Sequence, residues 1–416
     1  MFRYLQNEKT YWFIIIFLSA EILINFLFSF SNIRGFSLTP YIRITLIFFT
    51  GLFFFFDFSR LKIPLKINLK KLHLSNIFVY AWMGFSVIGI FISILNRNSV
   101  LYTITDSIYV FFGALLFYIS ERNLSPQKPN NLFFVKFSRA LVILSLICLF
   151  FSLKPPALLL VLMVVLLYVS ILNRRFLDAL LLIIPYAILV LSTNRTQLIV
   201  FFLMFFILFL RKIRFILSKP VVLVLGITAI ICLFFLRQEI IDVLLLIFDK
   251  SSNIGFRIYQ IDSILKDGID FTSPAFVSIS QRIIEAEVVL QYWTQDVFSF
   301  LFGLGPGATI DGTTFFIDNS VLDSALLGSK QIHNIHLLPF AFIFRYGLFG
   351  ILFFGLLCLM VYKSFIILLD EKENNARIFW NLFLIFWFFF SIPASSFLWS
   401  MPVFWISLSM IKNGSV

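Results

Sequence analysis

The sequence predicts an all-α polytopic membrane protein, from its composition, its apolar runs and the charges of its loops. Apolar residues make up 60% of the 416 residues and charged residues only 13%. A soluble domain has roughly 25% charged residues. A membrane-spanning helix needs about 20 apolar residues, so this composition suffices for about 12 spans. Long apolar runs also disfavour an outer-membrane barrel, whose strands alternate polar and apolar residues.

Twelve apolar segments are predicted to span the membrane. They are 11–30, 38–58, 74–95, 100–119, 134–153, 155–172, 176–193, 196–211, 217–237, 336–362, 378–391 and 394–411. The predicted organisation is nine transmembrane helices in 1–237, one large loop in 238–335 and three transmembrane helices in 336–416.

The basic residues of the short loops predict the orientation. With the N-terminus inside, the loops at 59–73, 120–136, 173–175 and 211–219 carry five, three, two and four lysines or arginines. The alternate loops carry one basic residue each, so the pattern follows the positive-inside rule. Both termini are therefore predicted to be cytoplasmic. The net charge of +12 is explained by these loops, and no nucleic-acid partner is predicted.

The long polar stretch 238–334 differs from the other connections. It carries twelve acidic and five basic residues, a net charge of −7, and alternation puts it outside. Its length indicates a functional element rather than a plain connection. Two stretches beginning at Arg257 and Arg282 have apolar residues at three- and four-residue spacing, which predicts short amphipathic helices.

Three arginines on the predicted outer side could bind an anion. Arg195 lies in a tight turn, where it is either an interfacial arginine that reaches lipid headgroups or a cation for a lipid phosphate. Arg257 and Arg282 either form surface ion pairs or bind a diphosphate, since a guanidinium matches phosphate oxygens bidentately.

The glycine-rich stretch 302–307 lies between these arginines and the next apolar segment. It lacks the Gly-Lys-Ser/Thr of a nucleotide-binding loop. We interpret it as a turn that lets the chain double back.

His333, Asn334 and His336 lie where the chain is predicted to re-enter the membrane. A histidine here is either an interfacial residue that caps the next helix or a general base. The spacing does not match a metal site, and no metal or cofactor is predicted. Glu21 and Arg345 lie inside apolar segments, where charges are usually paired or functional. We expect an Arg345–Glu21 ion pair.

These residues together resemble the shared C-terminal region of the O-antigen polymerase and O-antigen ligase family. The resemblance covers about 190–360, and its motifs occur in the family's order. The motifs are Asn194-Arg195-Thr196, Arg282 through Gln291-Tyr292-Trp293, Leu301-Phe302-Gly303-Leu304-Gly305-Pro306-Gly307, His333-Asn334-Ile335-His336-Leu337 and Tyr346-Gly347-Leu348-Phe349-Gly350. Relatives often carry an acid before the glycine motif, where this chain has Arg345. Arg345 therefore either replaces a structural contact or adds a third phosphate contact.

The resemblance implies a GT-C-like glycosyltransferase architecture, with one large periplasmic loop between helices 9 and 10 in the bacterial inner membrane. It implies transfer of a glycan from an undecaprenyl diphosphate carrier to a sugar hydroxyl, without metal. His333 resembles the catalytic histidine, and Arg195 and Arg282 resemble the arginines that hold the diphosphate. Arg257 is a further candidate for that role. Predicted supporting residues are Asn334, His336, Arg345 and Glu21.

Three functions remain open on the sequence. The first is a polymerase of lipid-linked repeat units, with lipid-linked oligosaccharides as donor and acceptor, membrane lipids around it and a chain-length regulator as a partner. The second is a ligase that moves finished glycan to lipid A core by nearly the same chemistry. The third is a flippase or transporter of the same lipids. A transporter should show paired halves with broken helices at mid-membrane, and this pattern is absent. The polymerase is the first prediction.

Overall fold

The computed structural model describes residues 2–31, 73–123, 131–191, 196–217, 228, 235–247, 253–267, 277–311, 332–369 and 375–413. Throughout these ranges the chain is α-helical, and its only β-structure is an isolated bridge between Ile310 and Ile332. The predicted span at 38–58 and most of the span at 217–237 lie outside the described residues.

The described ranges contain fifteen named helices. They are α1 (Phe2–Ser31), α2 (Leu74–Leu95), α3 (Val100–Asn123), α4 (Asn131–Phe150), α5 (Ala157–Leu172), α6 (Phe176–Leu191), α7 (Thr196–Leu217), α8 (Arg237–Ile247), α9 (Asn253–Asp267), α10 (Val277–Thr294), α11 (Val297–Phe302), α12 (Leu338–Leu369), α13 (Asn375–Ser391), α14 (Ser396–Ser400) and α15 (Pro402–Asn413).

By length and composition, five of these helices can cross a membrane. Their apolar parts are Thr10–Leu27, Leu74–Leu95, Val100–Glu121, Phe133–Phe150 and Leu338–Leu369. Five shorter helices are also apolar, namely α5, α6, α7, α13 and α15. Helices that are both long and apolar are the signature of an α-helical membrane protein. The coarse fold prediction is therefore confirmed.

The helix boundaries follow local sequence signals. Pro156 stands at the N-terminal boundary of α5, and the predicted break between the fifth and sixth segments is confirmed. The last predicted segment, 394–411, is instead two helices. Met401 between them is extended because the following Pro402 disfavours helical backbone at the residue before it. The two stretches beginning at Arg257 and Arg282 are confirmed as helical.

The chain forms two compact units. The first comprises Met1–Met204, Val289–Ala308 and His333–Val416, and the second comprises Phe205–Val288 and Thr309–Ile332. In the first unit α5 and α13 are buried along most of their length. In contrast, α2, α4 and α6 expose large apolar side chains such as Leu95, Phe150 and Phe176. A broad exposed apolar surface of this kind is expected of helices in a membrane protein.

Candidate functional site

The candidate site is built around a kink in α12. Gly347 has φ 57° and ψ −134° within the helix, a combination open to glycine because it has no Cβ. In a regular helix the carbonyls of Phe344 and Arg345 would accept from the residues four positions later. Here the backbone N–H groups of Leu304 and Gly305 donate to these two carbonyls, at 2.9 and 3.1 Å. The kink therefore docks the glycine-rich stretch onto α12.

The glycine-rich stretch is a turn, as the sequence predicts, and it is packed on three sides. Gly303, Gly305 and Gly307 have φ of 73°, 84° and 75°. A Cβ on Gly303 would lie 2.6 Å from the Arg345 backbone, and one on Gly307 would lie 2.2 Å from Thr103 Oγ1. Glycine is thus required both for backbone conformation and for space.

Polar side chains of α2, α3 and their connection hold the same turn. Ser93 Oγ donates to the Pro306 carbonyl at 2.6 Å, and Asn98 Nδ2 donates to the Leu304 carbonyl at 2.8 Å. Thr103 Oγ1 also donates to Pro306, at 3.1 Å. A loop without regular structure must satisfy its buried carbonyls with such partners. The turn is therefore a fixed part of the bundle.

The short helix α11 leads into this turn and has its own cap. The carboxylate of Asp296 accepts from the backbone N–H of Ser299 at 2.8 Å and from its hydroxyl at 2.9 Å. These hydrogen bonds, the backbone one first, hold the pKa of Asp296 below its usual range because they favour the charged form.

Three charged or titratable side chains meet next to the turn, and we call Asp106, His333 and Arg345 the polar cluster. Asp106 Oδ2 accepts from Arg345 Nε at 2.8 Å and from the Gly307 N–H at 3.1 Å. Asp106 Oδ1 lies 3.3 Å from His333 Nε2. The side chains are 8%, 10% and 3% exposed for Asp106, His333 and Arg345. The chain thus buries a carboxylate between a guanidinium and an imidazole.

The imidazole of His333 has a partner on each side. Its Nδ1 lies 3.2 Å from the carbonyl oxygen of Ala308. The ring of Tyr102 stacks on it with centroids 4.2 Å apart and an interplanar angle of 3°. The imidazole ring is therefore fixed in both position and tilt.

Arg345 has two further contacts. Its Nη2 donates to the His333 carbonyl at 3.3 Å, and its guanidinium lies 5.1 Å from the centre of the Trp399 ring.

Backbone hydrogen bonds hold the segment that carries His333. The N–H of Ser395 donates to the His336 carbonyl at 2.9 Å, and the N–H of Leu338 donates to the Ile392 carbonyl at 2.8 Å. The hydroxyl of Ser395 also donates to the Ile335 carbonyl. The connection between α13 and α14 thus anchors the histidine segment before α12 begins.

The predicted Arg345–Glu21 ion pair is wrong, since Arg345 pairs with Asp106. Glu21 is buried on α1, a helix separate from the polar cluster. Two buried charges at similar predicted depth are not enough to define a pair, because depth does not fix which helices are neighbours. The structure instead brings Arg345 together with His333, two of the residues selected from the sequence.

The other predicted site residues have different positions. Asn334 and His336 are exposed on either side of buried Ile335. Arg282 is partly buried on α10, in the second unit. Arg257 belongs to α9, although its side chain lies outside the described residues, and so does the whole of Arg195.

Sequence reasoning missed Asp106, although the sequence carries a signal for it. Asp106 is the only charged residue in the predicted span 100–119. A lone acid in a membrane segment is a functional candidate by the same argument that selected Glu21 and Arg345. The missing information was its partner, which lies more than 200 residues away in the chain.

No family model, curated protein or solved structure matches this chain. The polar cluster and the sequence motifs are therefore the observations on which a function can be argued.

Proposed function

We propose that this protein is a membrane glycosyltransferase that polymerises undecaprenyl-diphosphate-linked oligosaccharides into a surface polysaccharide. The observation that carries the proposal is the polar cluster. Charged groups buried among apolar helices are costly and are found where they have a function. A histidine held beside a carboxylate is the arrangement of a general base.

The reaction joins two lipid-linked sugars. The acceptor hydroxyl loses a proton to His333 while its oxygen bonds to the anomeric carbon of the donor. The bond from that carbon to the diphosphate breaks, and its electron pair leaves with the diphosphate. Positive groups fixed near the leaving oxygen stabilise the negative charge that develops there.

Arg195, Arg282 and Arg257 are the proposed ligands of the diphosphate. Arg282 supports this role, since its Nε is buried and makes no hydrogen bond with any residue in the described ranges. Arg345 is not proposed as a ligand of the diphosphate. Its Nε is 2.8 Å from Asp106 and its side chain is 3% exposed, so its charge is already compensated within the polar cluster. Arg345 then supports the carboxylate and does not bind phosphate.

The membrane topology predicted from the sequence is part of the same proposal. Twelve spans, cytoplasmic termini and a GT-C-like arrangement would put the loop 238–335 and the polar cluster on the periplasmic side of the inner membrane. The positive-inside distribution of lysine and arginine supports this orientation. Polyprenyl-linked donor and acceptor would both reach the site from the membrane.

A gel of surface polysaccharide tests the proposal. A host that lacks this gene is compared with and without the intact copy. Single repeat units in the deletion strain and a restored ladder with the gene support the polymerase. Bare core with long glycan left on the lipid carrier identifies a ligase instead. An unchanged polysaccharide profile with no lipid-linked intermediate accumulating contradicts both.

The same assay tests His333. Replacing a general base typically costs about 10²–10⁴-fold in rate, so His333→Ala should remove the ladder while the protein remains in the membrane. His73→Ala is the matched control, since His73 precedes α2 at the opposite end from the polar cluster and should leave the ladder intact. A normal ladder from His333→Ala would remove this histidine from catalysis.

Arg282→Lys tests the diphosphate contact. Lysine keeps the charge and loses the bidentate fork. Shorter ladders at equal protein level would support a bidentate contact, whereas a full ladder would make Arg282 a point charge or a surface ion pair.

A further inference from the structure

The proposed function leaves open which nitrogen of His333 takes the proton. Both ring nitrogens lie near oxygen atoms, Nε2 at 3.3 Å from Asp106 Oδ1 and Nδ1 at 3.2 Å from the Ala308 carbonyl. A neutral imidazole has one N–H, so it can donate to one of these oxygens only. The surroundings of the two oxygens decide which one.

The two carboxylate oxygens of Asp106 have different hydrogen-bond partners. Oδ2 accepts from Arg345 Nε and from the Gly307 N–H, two donors that always carry their hydrogen. Oδ1 faces His333. A hydrogen bond to a carboxylate is roughly twice as strong as one to a neutral carbonyl. Asp106 therefore draws the single proton of the neutral ring to Nε2.

We infer that Asp106 is a positioning residue that holds His333 as the Nε2–H tautomer and leaves Nδ1 as the basic nitrogen. This inference rests on the proposed function for its chemical role. The proton of the acceptor hydroxyl moves to Nδ1, and the ring becomes an imidazolium. Its two N–H groups then face Asp106 Oδ1 and the Ala308 carbonyl, and both oxygens are already in place.

The other groups around the ring fit this assignment. Among the described residues Tyr102 and Asp106 of α3 and Arg345 of α12 are the charged or titratable groups that contact His333. The Tyr102 ring contacts the face of the imidazole, so it does not compete for either ring nitrogen. Arg345 contacts only the backbone carbonyl of His333 and directs its Nε to Asp106, so its cation is compensated there.

The Nε2–H tautomer of His333 also restricts how the acceptor hydroxyl can bind. A hydroxyl that donates to Nδ1 must enter beside the Ala308 carbonyl, which accepts hydrogen bonds and cannot donate them. A hydroxyl bound at Nδ1 therefore has a hydrogen-bond acceptor, and not a second donor, beside it.

Asp106→Asn should reverse the tautomer. The two donors from Arg345 and Gly307 fix the amide oxygen in place of Oδ2, so the amide NH₂ faces His333 Nε2. Nε2 must then accept, and the ring proton moves to Nδ1, where it donates to Ala308. The basic nitrogen is lost, and transfer should fall by at least about 100-fold.

The experiment is ¹⁵N spectroscopy of histidine-labelled protein in lipid bilayers, at a pH about two units above the ordinary histidine value. With only three histidines in the chain, the His333→Gln spectrum assigns the ring. Wild type should show Nε2–H, and Asp106→Asn should show Nδ1–H. Glu121→Gln makes the same chemical change on the same helix and should alter neither the tautomer nor transfer.

The outcomes separate the two proposals. Nδ1–H in the wild type overturns the assignment even if Asp106→Asn does not fold. An unchanged tautomer with full transfer in Asp106→Asn also overturns it. If the tautomer reverses as expected while the wild-type chain makes no polysaccharide, the assignment of the hydrogen bonds stands and the proposed function fails.

Discussion

The two carboxylates of α3 lie near opposite ends of the same helix and have different surroundings. Asp106 is 8% exposed and pairs with a 3% exposed arginine. It also accepts a hydrogen bond from the Gly307 N–H and lies 3.3 Å from His333 Nε2. Glu121 is 24% exposed and pairs with Lys412, which is 23% exposed. Both are ion pairs between distant segments, and the Asp106 pair is the more deeply buried of the two.

The difference shows what burial changes. A pair near water loses little when one partner is removed, because solvent and ions compensate the remaining charge. A buried pair leaves an uncompensated charge, which is strongly destabilising. The Asp106 end of α3 is therefore the end whose stability depends more on its ion pair.

The largest expected effect on stability comes from Arg345→Met. It leaves Asp106 without its cation and should lower the free energy of unfolding by about 3–5 kcal/mol. The thermal midpoint of the purified protein in detergent measures the loss. The double variant Asp106→Asn/Arg345→Met removes both charges and should recover part of the stability. Additive losses in the double variant would show that the two side chains do not act as a pair.

A smaller loss of stability should follow from Gly305→Ala in the turn beside the polar cluster. The residue has φ 84°, and a Cβ would lie 2.7 Å from Ser93 Oγ. Strain of this kind costs about 1–3 kcal/mol. Gly84→Ala is the matched control, because a Cβ there meets no atom within 4 Å and alanine favours the helix by about 0.5–1 kcal/mol. Equal midpoints for the two variants would show that the turn tolerates a side chain.

At the other end of α3, Glu121→Gln should cost less stability than Arg345→Met, because both partners keep about a quarter of their side-chain surface exposed. The ladder of surface polysaccharide should be unchanged. Lys412→Met removes the partner and should have a similar effect. A loss as large as that of Arg345→Met would mean that the comparison between the two ends is wrong.

The smallest expected effect is a pH dependence at this second end. Burial first, and then the positive charges of Lys363 and Lys412, hold the pKa of His73 below its ordinary value of 6.5. His73 accepts from the backbone N–H of Ser75 through Nδ1, which requires the unprotonated nitrogen. Its contribution to stability is therefore present above the ordinary value and is lost as the pH falls through the lower folded value.

His73→Asn keeps a capping acceptor without a titrating group. The thermal midpoint of the wild type should fall more than that of His73→Asn between about pH 7 and about pH 5. Parallel pH curves for the two proteins would exclude His73 as the source of the dependence.

The sequence predicted the helical elements well where their signals are local. Apolar runs gave α2, α3 and α5, and three- and four-residue spacing gave α9 and α10. The glycine-rich turn was also identified, since glycine and proline act on their own backbone. Misplaced boundaries, such as the single helix predicted over 394–411, arose where one proline divides an apolar run.

The site was predicted only in part. His333 and Arg345 were selected because charged residues and histidines are rare in this chain. Asp106 was missed, and Arg345 was assigned to Glu21, because a buried charge in a sequence indicates that a partner exists without indicating which one. The diphosphate ligands proposed from the resemblance stay predictions.

Composition and local patterning by themselves determined that this chain is an α-helical membrane protein with few charged residues. These properties depend on each residue and its near neighbours, which the sequence contains directly. Only the tertiary structure decided that Asp106, His333 and Arg345 share one buried cluster, across separations of 227 and 239 residues. Helix packing and the glycine turn bring these segments together. The pairing of buried charges follows from that packing, because a charge without water is stabilised only by the groups actually placed beside it.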